Sequence, residues 1–133
     1  MSQLIIELKK EHAAIANILG EVSKLGITSK EGQMKLMDAK KGLLAHLKKE
    51  DDQLYPALKR AAQNDKNLGH TLDVYAKDME GITTAAIAFF SKYAQGGSGL
   101  EFAKDIGGLF STLKSRIRKE EDVLYKEYDR LNP

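Results

Sequence analysis

The sequence predicts an all-α fold, an up-down-up-down antiparallel four-helix bundle, and three observations support this prediction. Apolar residues recur at steps of three and four, as they do along one face of a helix. Breaker residues divide the 133 residues into four long segments, and no strand pattern competes. The links are short, about three to six residues each, so consecutive helices should be antiparallel neighbours. We expect a single domain over residues 1–133, because a chain of this length suits one hydrophobic core.

The first two helices are predicted on either side of Gly26. A single histidine interrupts the apolar stripe of the first helix, which consists of Ile5, Leu8, His12, Ile15, Leu19 and Val22. Gly26 should end this helix, and the residues from Thr28 to Glu31 indicate a capping box for the second. The second helix is predicted to continue to about Ala62, with Pro56 near its last turns.

The third and fourth helices repeat the pattern of the first two. They are predicted from about Asn67 to Ala94 and from Leu100 to Leu131, on either side of the sequence GGSG at 96–99. Residues 46–60, HLKKEDDQLYPALKR, align without gaps on residues 116–130, RIRKEEDVLYKEYDR. The repeat therefore predicts two similar helical hairpins. Positions 12, 46, 81 and 116 should then lie at one level of the bundle.

Ionisable residues occupy core positions at that level. His46 and Glu50 lie one turn apart on one helix face, and the repeat places Glu120 in the position equivalent to Glu50. A lone inward histidine such as His12 is usually a core residue with one satisfied hydrogen bond. Two imidazoles and two carboxylates together are costly to bury without a cation, and iron or zinc accepts this mixture of ligands. The candidate metal ligands are therefore His12, His46, Glu50 and Glu120.

These residues resemble the hemerythrin-like (HHE cation-binding) domains, and the resemblance covers essentially the whole chain. The family pattern is a His on the first helix, H-x-x-x-E on the second, a His on the third and another H-x-x-x-E on the fourth, often with L-[FY]-P following. Four candidate ligands match it, as does LYP at 54–56. The resemblance implies two irons that share bridging glutamates. However, Gly81 and Arg116 stand where the third-helix and fourth-helix histidines are expected, so at most one metal is implied.

The position of Arg116 leaves two arrangements open. If it points inward, its guanidinium could bridge Glu50 and Glu120 and take the place of a metal ion. If it points outward, these two carboxylates should face each other, with at least one pKa raised. One iron or zinc ion bound by the candidate ligands, and a metal-free layer of internal salt bridges, both fit the sequence.

Composition excludes several classes of protein. The absence of cysteine removes disulfides and cysteine-based metal sites. A net charge of +2 without a groove-reading motif argues against nucleic acid as a partner. The longest apolar run, near residues 82–90, is too short to span a membrane. No nucleophile and base pairing or phosphate loop indicates an enzyme, and the aromatic residues, including Tyr55 and Tyr125, are predicted to pack in the core.

We therefore expect a cytoplasmic hemerythrin-like domain with a partly lost di-iron site and no enzymatic activity. It should act as a regulatory or interaction module with a protein partner, and not as an oxygen carrier. The alternative is a metal-binding protein that holds one iron or zinc ion for sensing, storage or detoxification of O2, NO or peroxide.

Overall fold

A computed structural model describes residues 2–97 and 99–132 and confirms the all-α bundle. Its α-helices, in chain order, are α1 Gln3–Leu25, α2 Lys30–Lys49, α3 Tyr55–Ala62, α4 Lys66–Lys92, α5 Gly99–Lys119 and α6 Tyr125–Leu131. A π-helical turn, Glu50–Leu54, joins α2 to α3, and a second one, Glu120–Leu124, joins α5 to α6. The chain therefore forms four helical rods. Within the described residues no strand occurs, and no helix is both long enough and apolar enough to cross a bilayer.

The first link between rods is set by a glycine and a serine. Gly26 ends α1 with a φ of 73°, a conformation that side chains with a Cβ rarely adopt. The next helix is capped by Ser29, whose hydroxyl oxygen accepts a hydrogen bond from the Gly32 amide at 3.1 Å. The predicted capping box from Thr28 is therefore wrong by one residue. The last link was predicted at GGSG, residues 96–99, and its Ser98 lies outside the described residues.

Two apolar clusters fill the bundle, one at each end. The cluster near the chain termini is formed by Ile5, Leu8, Leu54, Tyr55, Leu58, Leu68, Leu72, Leu124 and Tyr125. The cluster near the Gly26 link contains sixteen buried residues, among them Leu19, Val22, Phe90 and Phe102. Each fully buried aliphatic or aromatic side chain contributes roughly 1.5–3 kcal/mol of burial free energy. His12 lies between Leu8 of one cluster and Ile15 of the other, so the bundle presents a polar level between two apolar ends.

The two π-helical turns occupy equivalent positions in the two hairpins. Each begins at a buried glutamate and ends at a buried leucine. Pro56, which lacks an amide hydrogen, follows the first turn, but Lys126 stands at the equivalent place after the second. A proline is therefore not required for this distortion. π-helical turns occur often at functional sites. Their presence at Glu50 and Glu120 therefore indicates that the polar level has a function.

The middle of α4 contributes little to the core. Between Leu72 and Ala86 none of its residues is fully buried. Gly81 lies in this stretch, and a Cβ added there would meet no atom within 4 Å. At residue 81, α4 therefore contributes no side chain to the polar level.

Replacing Gly81 by alanine should stabilise the protein by about 0.5–1 kcal/mol, because glycine inside a helix is that much less favourable than alanine. Urea unfolding monitored by circular dichroism measures the change. Gly32→Ala is the matched control and should destabilise, since its Cβ would collide with the Gly26 carbonyl oxygen. A loss of stability in Gly81→Ala would show that the space beside α4 is filled.

Candidate metal centre

Five ionisable side chains point into the bundle and form what we term the polar layer. They come from three of the four rods, and their exposed fractions are His12 4%, His46 3%, Glu50 1%, Arg116 3% and Glu120 2%. The predicted site residues therefore all lie in the interior. The cause is their place in the helical repeat, since each follows the apolar stripe of its own helix.

Three of the four predicted ligands converge on one point. The rings of His12 and His46 lie with their centroids 4.5 Å apart. One nitrogen from each ring and one Glu50 oxygen lie within 4.8 Å of one another. The fourth predicted ligand, Glu120, neighbours the Glu50 carboxylate but does not belong to this group. The structure thus brings two imidazoles and a carboxylate together, with a second carboxylate beside them.

Carboxylates from outside the layer hold both imidazole rings. The Nδ1 atom of His46 lies 2.8 Å from Oε1 of Glu11, and Nδ1 of His12 lies 2.9 Å from Oε2 of Glu121. Lys49 in turn donates to Glu11 at 2.9 Å. An ionised carboxylate can only accept, so Nδ1 carries the hydrogen in each ring. In the neutral ring this arrangement leaves the Nε2 lone pair directed into the layer, where a metal could use it.

Sequence reasoning missed Glu11 and Glu121 because both lie on partly exposed helix faces, where charged residues are usual. The only signal was adjacency: Glu11 immediately precedes His12, and Glu121 immediately follows Glu120. Each of these glutamates contacts a histidine of another rod: Glu11 contacts His46, and Glu121 contacts His12.

Tyr125 also takes part in the layer, although it was predicted only to pack in the core. Its hydroxyl lies 3.1 Å from Nε2 of His12 and 3.0 Å from Oε2 of Glu50. The single hydroxyl hydrogen serves one of these acceptors at a time. Burial and the nearby Glu120 carboxylate raise the pKa of Tyr125, so it remains a hydroxyl at neutral pH. The repeat offered a signal, since Tyr55 and Tyr125 stand at equivalent positions.

Arg116 lies inside the bundle, but it does not make the predicted bridge. One of its terminal nitrogens, Nη2, donates to the Tyr75 carbonyl at 2.9 Å and to the Tyr55 hydroxyl at 3.2 Å. The guanidinium carbon lies 4.5 Å from the centroid of the Tyr75 ring. Nε is 3.8 Å from Glu120, and among the described contacts none joins Arg116 to Glu50. The bridging interpretation is wrong because the side chain turns toward Tyr75 and Asp78 of α4.

The two buried carboxylates have opposite tendencies to ionise. Burial and the adjacent Glu50 carboxylate raise the pKa of Glu120 well above its usual range. Burial also opposes ionisation of Glu50, yet contacts with Glu120 and His46 lower the pKa of Glu50 to about 2. Of the two carboxylates, Glu120 is therefore the one that favours the protonated form.

The two imidazoles are also differentiated by their surroundings. Burial and the positive charge of His46 lower the pKa of His12, which favours its neutral form. Burial has the same tendency at His46, but the carboxylates of Glu50 and Glu11 outweigh it and raise the pKa of His46. The neutral form that a metal requires is therefore favoured more at His12 than at His46.

Several buried atoms of the layer have no hydrogen-bond partner. Among the described residues these include Nε2 of His46, Oε1 of Glu50 and Oε2 of Glu120. The first two lie 3.1 Å apart, in an orientation that makes no hydrogen bond. Ligand atoms of a tetrahedral zinc ion with bonds of 2.0–2.1 Å stand about 3.3 Å apart, which is close to this separation. Since a buried polar atom without a partner is costly, a cation at this point would satisfy both atoms.

The donor set therefore fits one ion. Two imidazole nitrogens and one or two carboxylate oxygens suit iron or zinc better than magnesium or calcium, which prefer oxygen alone. An ion bound by His12 would replace the hydrogen bond between Nε2 and the Tyr125 hydroxyl. The residues that would hold it are His12, His46 and Glu50, and Glu120 lies beside the Glu50 carboxylate but outside this group.

A buried layer of imidazoles and carboxylates inside a bundle of four antiparallel rods is typical of metal-binding helix bundles. The family model of the hemerythrin HHE cation binding domain matches residues 3–128, and the chain belongs to that family. No curated protein and no solved structure matches the chain.

Arg116→Met and Arg116→Ala should differ in stability. Methionine keeps much of the buried volume and removes a charge whose Nε and Nη1 lack hydrogen bonds, so it should change the free energy of unfolding by less than about 1 kcal/mol or raise it. Alanine also leaves a cavity and should cost about 2–5 kcal/mol. Urea titration of the two variants measures both. An equally large loss in Arg116→Met would mean that the guanidinium charge itself holds the bundle together.

Proposed function

We propose that this hemerythrin-like domain binds a single iron or zinc ion through His12, His46 and Glu50, with Glu120 as a further ligand. The observation that carries the proposal is that one nitrogen of each imidazole and one Glu50 oxygen lie within 4.8 Å of one another, while carboxylates hold both Nδ1 atoms. Such outer carboxylates set the ring orientation and raise the basicity of the ligating nitrogen. The role that we infer is sensing, storage or detoxification of small oxidants, without catalytic turnover.

One ion is favoured over two by the other half of the layer. Gly81 offers no ligand atom there, and Arg116 brings a positive charge. A divalent ion about 5 Å from a guanidinium meets roughly 6–7 kcal/mol of bare repulsion at an effective dielectric constant of 20, before nearby carboxylates offset part of it. The family's second iron would have to overcome this repulsion with fewer ligands.

Each residue around the site has a separate task in this proposal. Glu11 and Glu121 orient the imidazoles, and Lys49 keeps Glu11 in place through its ammonium group. Tyr125 holds a hydroxyl hydrogen beside the ligand atoms of His12 and Glu50. The apolar clusters cover the layer on both sides along the bundle axis. When bound, iron would supply redox chemistry with small oxidants, whereas zinc would supply only a structural or Lewis-acid centre.

The second candidate function is a metal-free regulatory or interaction module. It is favoured by the Tyr125 hydroxyl, whose single hydrogen can satisfy either Nε2 of His12 or Oε2 of Glu50. A protonated His46 between Glu50 and Glu11 would complete an internal ionic layer, in keeping with its raised pKa. In this alternative the layer has a structural role, the function lies in binding a protein partner, and the domain is again not an enzyme.

Metal analysis of protein purified without chelator from iron-supplied cells separates these candidates. We expect one ion per chain, lost in His46→Ala and in Glu50→Ala, because each removes a converging ligand atom. His70→Ala, an exposed histidine of α4, is the matched control and should retain the metal. No metal in a folded wild-type protein would favour the interaction module, and two ions per chain would contradict both candidates.

Restoring the two lost histidines should restore the second metal. The double variant Gly81→His and Arg116→His supplies two imidazoles at the polar layer and removes the guanidinium, so metal content should rise from one to two ions per chain. Gly81→Ala with Arg116→Met is the control, since it removes the charge without adding ligands. If the folded histidine variant gains no metal, the register assigned to the third and fourth rods is wrong.

Glu11→Gln should weaken metal binding by about 10- to 100-fold while leaving the fold intact, since loss of an outer carboxylate lowers the basicity of its histidine. Competition with a chromophoric chelator gives the affinity. Glu7→Gln is a close control: Glu7 also contacts Lys49 at 2.9 Å, but the hydrogen bond to His46 comes from Glu11. Equal affinities for the two variants would show that the Glu11 contact does not serve the metal.

A further inference from the structure

A groove of about 580 Å³ runs between α4 and α5 beside the polar layer. It lies on the side where the family's third-helix and fourth-helix histidines are replaced. The residues that matter for its chemistry are Lys77, Asp78, Gly81, Ser115, Arg116 and Lys119. Metal binding through His12, His46 and Glu50 makes no use of this groove.

Arg116 lines the groove with unused hydrogen-bonding capacity. It is 3% exposed, yet its Nε and Nη1 atoms have no hydrogen-bond partner among the described residues. The carboxylates of Asp78 and Glu120 each stand 3.8 Å away, beyond hydrogen-bond distance. Nη1 faces Asp78, which is itself a wall residue of the groove. A buried guanidinium with idle donors is costly, and an acceptor entering from the groove would relieve that cost.

The charge of the groove favours an anion. Of the described residues that line it, Lys77, Arg116 and Lys119 are cationic and Asp78 alone is acidic. Hydroxyl groups of Ser111, Thr112 and Ser115 add neutral donors. The floor at Gly81 is open, because no atom lies within 4 Å of the position that a Cβ would take.

We propose that this groove binds a small oxyanion, of the phosphate or carboxylate type, on the guanidinium of Arg116. Nη1 is the idle donor that faces the groove, and the guanidinium charge strengthens a hydrogen bond from it to an anionic oxygen. The anion takes the place of Asp78 opposite Nη1, and the two lysines at the rim supply attraction. In this arrangement the vacated half of the polar layer has become a site for an anion instead of a second cation.

Isothermal titration of the full chain at low ionic strength tests the proposal, with inorganic phosphate and acetate as the probes. Saturable binding of either one supports the site, and the stronger of the two identifies the class of ligand. Asp78→Asn should tighten binding about three- to tenfold, because it removes the competing carboxylate. A gain of affinity cannot arise from unfolding, so this variant keeps the test interpretable.

Two further variants should weaken binding. Gly81→Asp places a negative charge on the groove floor, where its Cβ has space, and should reduce affinity more than about tenfold. Lys119→Gln should reduce it severalfold, whereas the charge-matched control Lys48→Gln, on an exposed site of α2, should not. Absence of saturable binding, or affinities that Asp78→Asn and Gly81→Asp leave unchanged, would overturn the proposal. Metal content is measured separately, so neither result affects the proposed metal site.

Discussion

The architecture of the site depends on the two hydrogen bonds between carboxylates and buried imidazoles. Glu11 of α1 holds His46 of α2, and Glu121 of the second π-turn holds His12 of α1. Each bond joins two rods and at the same time fixes which ring nitrogen faces inward. Without them the rings would be free to rotate, and the interior would contain polar groups with no fixed direction. With them the bundle tolerates a layer of charge between two apolar clusters.

The two hairpins have diverged at equivalent positions. His12 and His46 in the first correspond to Gly81 and Arg116 in the second, while Glu50 and Glu120 are retained. The first hairpin therefore keeps a converging set of metal ligands. The second has an arginine that turns toward α4, where the Tyr75 carbonyl and ring accept the guanidinium. The layer is therefore asymmetric: one half gathers two imidazoles and a carboxylate, and the other half contains an arginine.

The fold and the membership of the polar layer could be predicted from sequence, because both depend on helical periodicity. His12 follows the apolar stripe of α1, and the repeat assigns Glu120 to the position of Glu50. The directions in which the side chains of the layer point could not be predicted from periodicity. Whether Arg116 reaches Glu50 or α4 depends on what the neighbouring rods offer, which periodicity does not encode.

The other differences between the sequence-based predictions and the structure have local causes. Glu11 and Glu121 resemble ordinary surface charges until the packing of neighbouring rods brings an imidazole to each. The π-turns change the helical period over only five residues, too few to alter an apolar pattern noticeably. The helix after the first link is capped by Ser29 and not by Thr28, although both residue types are common caps, so composition alone did not distinguish them.

The most direct test of the central claim is anomalous diffraction from crystals grown with iron or zinc. The account predicts a single anomalous peak between the Nε2 atoms of His12 and His46 and the carboxylate of Glu50, with Glu11 and Glu121 still bound to the two Nδ1 atoms. A peak beside Gly81 and Arg116, two peaks across the layer, or a metal bound only at the surface would contradict it.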